Sequence, residues 1–139
     1  EETWSLRQTF EVMAVRRILD RRADVSALWE PCRAMQNAAD AGDREALLLA
    51  DEQFHRMLIA ISDHQLLLQS WNALYLRINQ IMALPIRRDS DDLAEIAGNH
   101  PPIVEALQLG DTRTAVRLIS DHTRALRDFD PASIVEWLG

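Results

Sequence analysis

Asp51 and His55 stand four residues apart in Ala50-Asp51-Glu52-Gln53-Phe54-His55, inside a run of strong helix formers. At that spacing a carboxylate and an imidazole project from one helix face. His100 and His122 follow in later segments that also pattern as helices. Three of the chain's 4 histidines therefore join Asp51 in a set that can converge inside a helical bundle. Three imidazoles and a carboxylate suit a divalent ion, Zn²⁺ first, with Ni²⁺, Mn²⁺ or Fe²⁺ also accommodated. Four protein ligands leave positions open for another molecule when coordination exceeds four. Burial of an uncompensated carboxylate is costly, so an inward Asp51 needs a cation or several donors. The alternative is an exposed helical Asp/His pair beside two unrelated histidines, and spacing alone leaves both open.

The elements that must position these groups are helices. Gly and Pro number only 4 and 5 in 139 residues, and Ala and Leu are plentiful. A first helix, about 3–22, carries Leu6, Phe10, Met13, Ala14, Arg17 and Ile18 at helical spacing. Asp24 or Ser26 caps a second, reaching about Ala41, with Pro31 delaying its start or kinking it. Gly42 stops it and Asp43 caps a third, 44–61, with Leu47, Ala50, Phe54, Leu58 and Ile61 as its core stripe. A fourth runs from Gln65 to about Leu84 with Leu67, Trp71, Leu74, Ile78 and Ile81 on one face, and Pro85 ends it. A fifth segment, 91–109, breaks at Gly98-Asn99-His100-Pro101-Pro102, where a fresh helix starts. Gly110-Asp111 then precedes a sixth, 112–129, with Ala115, Leu118, Ile119, His122 and Leu126 inward. The tail, 131–139, holds Ile134, Val135, Trp137 and Leu138, which fold back or meet another subunit. Trp29 and Trp71 read as core. Short loops between helices imply an antiparallel all-α bundle.

Composition narrows the function. Hydrophobic residues at 47% and charged residues at 27% describe a folded single domain. A formal net charge of −7 disfavours direct contact with nucleic acid. All 15 basic side chains are arginine, for which there is no physical account at this level. One cysteine, Cys32, excludes an internal disulfide and fits a reducing compartment, so a cytoplasmic protein is expected. No apolar run approaches the ~20 residues of a membrane span. The chain begins at Glu1, which suggests part of a longer protein.

The order of the motifs adds a resemblance. Leu6-Arg7-Gln8-Thr9-Phe10-Glu11 is similar to the "VRxxLE" opening helix of the FCD domain, the effector-binding domain of one branch of GntR-family bacterial transcription regulators. Gly42-Asp43 followed by Ala50-Asp51-x-x-Phe54-His55 resembles that family's "D-x-x-FH" segment. Ser62-Asp63-His64-Gln65-Leu66-Leu67 looks like its "S-G-N-P-L-L" turn, and His100-x-x-Ile103-x-x-Ala106-x-x-x-Gly110-Asp111 its "H-x-x-I-x-x-A-I-x-x-G-D". The likeness runs from about Leu6 to Leu126.

What the resemblance implies is an all-α antiparallel bundle of six to seven helices around a central ligand cavity. Asp51, His55, His100 and His122 would hold a divalent metal at its floor, with a small carboxylate or sugar acid above. The domain would act as a homodimer. DNA would be read only by a winged helix-turn-helix that precedes Glu1. Arg7 would grip the effector carboxylate or form a structural salt bridge with Glu11. Arg77 and Asn72 are candidates for the cavity rim, with a solvated face as the alternative. Three departures stand out. Asn99 replaces the usual Glu, and Pro101-Pro102 follow His100, making it the ligand expected to be least secure. His64, in place of Asn, is expected to be a helix cap.

No enzyme is expected. A metal-dependent hydrolase or oxygenase using the same ligands would need a general base, and Glu52 points away from Asp51. HExxH, GxSxG, P-loop and paired Glu-x-x-His patterns are absent. A metal-free helical dimerisation module is the third possibility.

Overall fold

In the computed structural model, residues 2–82 and 91–127 are described, and the few glycines and prolines among them fall at helix ends. Helix α1 spans Glu2–Arg21. A short 3₁₀ turn at Ser26–Leu28 leads into α2, Trp29–Asp40, followed by α3, Arg44–Ile61. Then come α4, Gln65–Met82, α5, Asp91–Gly98, α6, Pro101–Leu109, and α7, Thr112–Arg127. No strand occurs among the described residues. No helix among them is long and apolar enough to cross a membrane. Pro85, the 86–90 loop and the 131–139 tail with Trp137 lie outside the described residues.

Local chemistry sets the boundaries. Gly42 takes φ +66°, the left-handed turn that only glycine enters without cost, and so ends α2. Asp43 then accepts the Ala46 N–H at 3.0 Å and opens α3. Removing this cap, Asp43→Ala, is expected to lower unfolding free energy by about 1 kcal/mol in a denaturant titration. His64 caps α4 in the same way, its Nδ1 accepting the Leu67 N–H at 3.1 Å. Pro101 and Pro102 occupy the first turn of α6, where a missing N–H costs nothing. Pro31 sits in the first turn of α2 after the 3₁₀ turn, so it delays that helix and does not kink it.

The main core joins Val15 and Ile18 of α1, Leu28, Met35 of α2, Leu47, Phe54 and Leu58 of α3, Ile103 of α6 and Ile119 of α7. Each such side chain contributes about 1.5–3 kcal/mol by leaving water. A second cluster, Ala14, Ile59, Leu67 and Trp71, knits α1, α3 and α4 together. Helix α2 packs chiefly on α3, and α1 on α7.

One face differs from the sequence pattern. Leu6 and Met13 are exposed, whereas Arg7 and Glu11 are buried with Ala14 and Ile18. The inward face of α1 therefore keeps Phe10, Ala14 and Ile18 of the apolar spacing but takes Arg7 and Glu11 in place of Leu6 and Met13. A charged pair occupies it because it meets polar partners inside.

The far end of α3 is held by α1. Its last carbonyls lack partners within the helix. Arg17 donates to the Ser62 and Asp63 carbonyls, each at 3.1 Å, and Arg21 donates to the Ser62 carbonyl at 3.1 Å. Arg21 also pairs with the Asp63 carboxylate at 3.2 Å.

Candidate metal centre

Helix α3 presents Asp51 and His55 one turn apart. His100 comes from the junction of α5 and α6, and His122 from α7. One ligand atom from each lies within 4.8 Å of every other. His55 Nε2 stands 3.1 Å from Asp51 Oδ1, and His100 Nε2 stands 2.7 Å from the same oxygen. His122 Nε2 faces His55 Nε2 at 3.1 Å. Ligand atoms about 2.1 Å from a single ion sit about 3 Å apart at right angles and about 3.4 Å apart in a tetrahedron. The three short spacings, 2.7 to 3.1 Å, are of the size that ligands sharing one ion require.

The outer ring nitrogens are already committed. His100 Nδ1–H donates to the Ile96 carbonyl at 2.7 Å. His55 Nδ1 is hydrogen-bonded to Glu11 Oε1. Each contact fixes its ring and turns Nε2 inward, as partners behind metal-bound histidines do. The Phe54 ring meets the edges of His55 and His100 at centroid distances of 5.3 and 4.8 Å and limits their rotation. His100, the residue whose ring the adjacent prolines were expected to turn, is fully buried with Nε2 directed at Asp51. The prolines lie in the next helix turn and leave its ring in place.

Glu11 is the participant that pattern reading missed as a site residue. Its Oε2 accepts from Arg7 Nε at 3.1 Å, and its Oε1 faces His55. Both Arg7 and Glu11 are buried. Their i, i+4 spacing on the face of Ala14 and Ile18 was the available signal. The salt bridge expected as the alternative role of Arg7 is thus present. The Arg7 guanidinium also lies 5.7 Å over the Trp71 ring, which stacks at 6.5 Å from the His55 ring. The Trp71 indole N–H is buried and has no acceptor among the described residues. Asn72, by contrast, is exposed on α4 and does not join the cluster. The side chain of Arg77 lies outside the described residues.

Electrostatics follow from this crowding. Burial alone would push the His55 imidazole down, but the Glu11 and Asp51 carboxylates outweigh it and raise it to about 9. Burial pushes Glu11 the other way from its net position: His55 and Arg7 overcome it and hold the carboxyl at about 2. Asp51 is likewise held well below the carboxylate range by His55 and His100 against its burial. His122 is lowered to about 3 by burial first, then by His55 and His100. Two anions thus face His55, and a proton on its ring balances charge that a cation could balance instead. A cleft of about 750 Å³ between the end of α1 and the end of α6 shares no residue with this cluster.

Comparison with known proteins gives consistent findings. The sequence profile of the FCD domain matches residues 2–125. The "Probable D-xylose utilization operon transcriptional repressor" of Paenarthrobacter nicotinovorans is 36% identical over 93 residues, which is 66% of this chain and 40% of that protein. The match thus spans under half of the relative's length. Among solved structures, the "Metal-free FCD domain of TM0439" superposes with a TM-score of 0.74 at 22% identity, covering 89% of this chain and 85% of that one. E. coli McbR/YncC superposes with a TM-score of 0.77 at 18% identity, covering 99% and 65%. At those identities the likeness concerns the fold.

Proposed function

The chain belongs to the FCD domain family, and from that premise we propose that it is the effector-sensing domain of a GntR-family bacterial transcription regulator. Asp51, His55, His100 and His122 would hold one divalent ion, Zn²⁺ before Ni²⁺, Mn²⁺ or Fe²⁺. The ion would supply open coordination positions for a small carboxylate or sugar acid in a central cavity. The observation that carries this reading is the convergence of four ligand atoms within 4.8 Å from three parts of the bundle. That His55 and His100 have their Nδ1 atoms occupied supports it. The relative named for D-xylose utilization favours a sugar-derived effector. The working unit would be a cytoplasmic homodimer, with DNA bound by a winged helix-turn-helix outside this chain. Effector binding would favour one arrangement of the bundles and so bias DNA binding.

An enzyme finds less support. Glu52, the candidate base beside Asp51 in sequence, is engaged by Arg56 at 3.1 Å. The metal-free reading has one observation in its favour, since a structural neighbour is described as metal-free. Elemental analysis separates the two. About one equivalent of divalent metal is expected in the purified protein, and chelator-stripped protein should regain thermal stability as Zn²⁺ is added. At a hundredfold excess over Kd the gain is about 2.7 kcal/mol. No bound metal and no shift with Zn²⁺ or Ni²⁺ would leave the metal-free module standing.

Metal binding should also depend on pH. The proton on His55 must leave before Nε2 can ligate, and that imidazole titrates at about 9. Affinity is therefore expected to fall about tenfold per pH unit below 9. The metal-free protein carries the opposite dependence. His55 is raised above its unfolded value, so its stabilisation is full below about 6.5 and is lost as pH rises through 9. Chelator competition at pH 6.5 and 8.5 checks the first statement, and a flat profile would refute it.

A further inference from the structure

We infer that Arg7 regulates the affinity of the metal centre through Glu11, although it touches none of the four ligands. This rests on the proposed metal site. Glu11 is shared between two partners: Oε2 takes the Arg7 Nε–H at 3.1 Å, and Oε1 takes the His55 ring. All three side chains are at least nine-tenths buried. In such surroundings a carboxylate cannot be compensated by water, so charge drawn to one partner is withdrawn from the other. A carboxylate behind a metal-bound imidazole makes that imidazole a stronger ligand. Arg7, holding the opposite oxygen, weakens this support.

The guanidinium is also placed to respond to a ligand. It lies 5.7 Å over Trp71, whose ring stacks beside His55 at 6.5 Å, so it borders the centre. An anion that draws Arg7 off Glu11 leaves the carboxylate wholly to His55, and metal binding tightens. By linkage, the metal tightens that anion's binding by the same factor. Arg7 and Glu11 are thus positioning residues that couple the two ligands, and the effector class this suits is an anion.

The test is the pH-independent Zn²⁺ affinity, taken from competition with a fluorescent chelator over a pH series so that the proton on His55 does not enter, in wild type, Arg7→Met, Glu11→Gln and the double variant, each checked for helicity and melting. Glu11→Gln should bind Zn²⁺ about 10- to 100-fold more weakly. Arg7→Met, which mimics an arginine drawn away, should bind several-fold more tightly. That gain should shrink to little when Glu11 is already Gln, because the route is then cut. If Arg7→Met does not fold, Arg7→Gln replaces it, keeping a donor without the charge. Glu11→Asp, one methylene shorter, stands in for Glu11→Gln with the same expected direction. Folded variants whose affinities stay within twofold of wild type overturn the inference. So does an Arg7 effect of equal size in both backgrounds, which would be a field effect independent of Glu11. Wild-type protein that binds no Zn²⁺ overturns the metal site itself, and this inference with it.

Discussion

Asp51→Ala is expected to weaken Zn²⁺ binding by more than about a hundredfold, enough to leave the purified protein without stoichiometric metal. Losing a residue that merely orients a ligand costs about 10- to 100-fold, and Asp51 would itself be a ligand. It is also the only anion among the four. Its Oδ1 is the point on which His55 and His100 both converge, at 3.1 and 2.7 Å. Without it, three neutral imidazoles remain, and the one formal charge opposing the cation directly is gone. His64→Ala is the matched control. His64 caps α4 and takes no part in the cluster, so this variant should keep its metal and lose about 1 kcal/mol of stability. Elemental analysis of both proteins decides the matter. An Asp51→Ala protein with metal content equal to the control would sink the assignment of the site.

Glu11→Ala should cost about 3–5 kcal/mol of stability in the metal-free protein. The reason is what it leaves behind. Arg7 would keep a buried charge without its carboxylate, and the raised His55 would lose the first of its two anionic partners. For a domain of this size the total is roughly 7–20 kcal/mol, so the loss is large. The sign with pH is definite. Glu11 is held at about 2, below its usual value, so its contribution is present above about 4.5 and disappears as pH falls through 2. Urea titrations at pH 7 measure the effect directly, and a change below about 1 kcal/mol would contradict it.

Much of the frame could be read from residue types. Helix α3 lay open to inspection because Gly42 and Asp43 announce its start and an unbroken stripe from Leu47 to Leu58 follows. The break at Gly98 to Pro102 and the capping role of His64 were legible for the same reason: each depends on a residue with a strong local preference. Asp51, His55, His100 and His122 were legible as a set only through their order along the chain. Their convergence depends on how α5, α6 and α7 pack against α3, which no local rule supplies. Two features lay beyond local rules. The face of α1 was legible in part: Phe10, Ala14 and Ile18 pack inward, but apolar spacing cannot announce that Arg7 and Glu11 turn inward in place of Leu6 and Met13 to meet a histidine from another helix. His100 was doubted because adjacent prolines suggested a rotated ring. Its position is set instead by the Ile96 carbonyl on one side and Asp51 on the other, and Ile96 belongs to the preceding helix.

The arginine pair at the end of α3 gives α1 a second fastening. Glu11 grips His55 near the middle of both helices, and Arg17 and Arg21 grip residues 61–63 farther along. The two fixings are separated by about 9–15 Å along α1. A single bolt lets two beams pivot; two bolts make a bracket. Helix α1 can neither slide along α3 nor swivel about it without releasing both joints at once. The guanidinium fork matters here, because one rigid planar group reaches two carbonyls with its donors already held in place, whereas an ammonium on a flexible stem is less pre-organised for it. In a chain without a single lysine, these are positions where the shape of arginine, and not only its charge, is put to use.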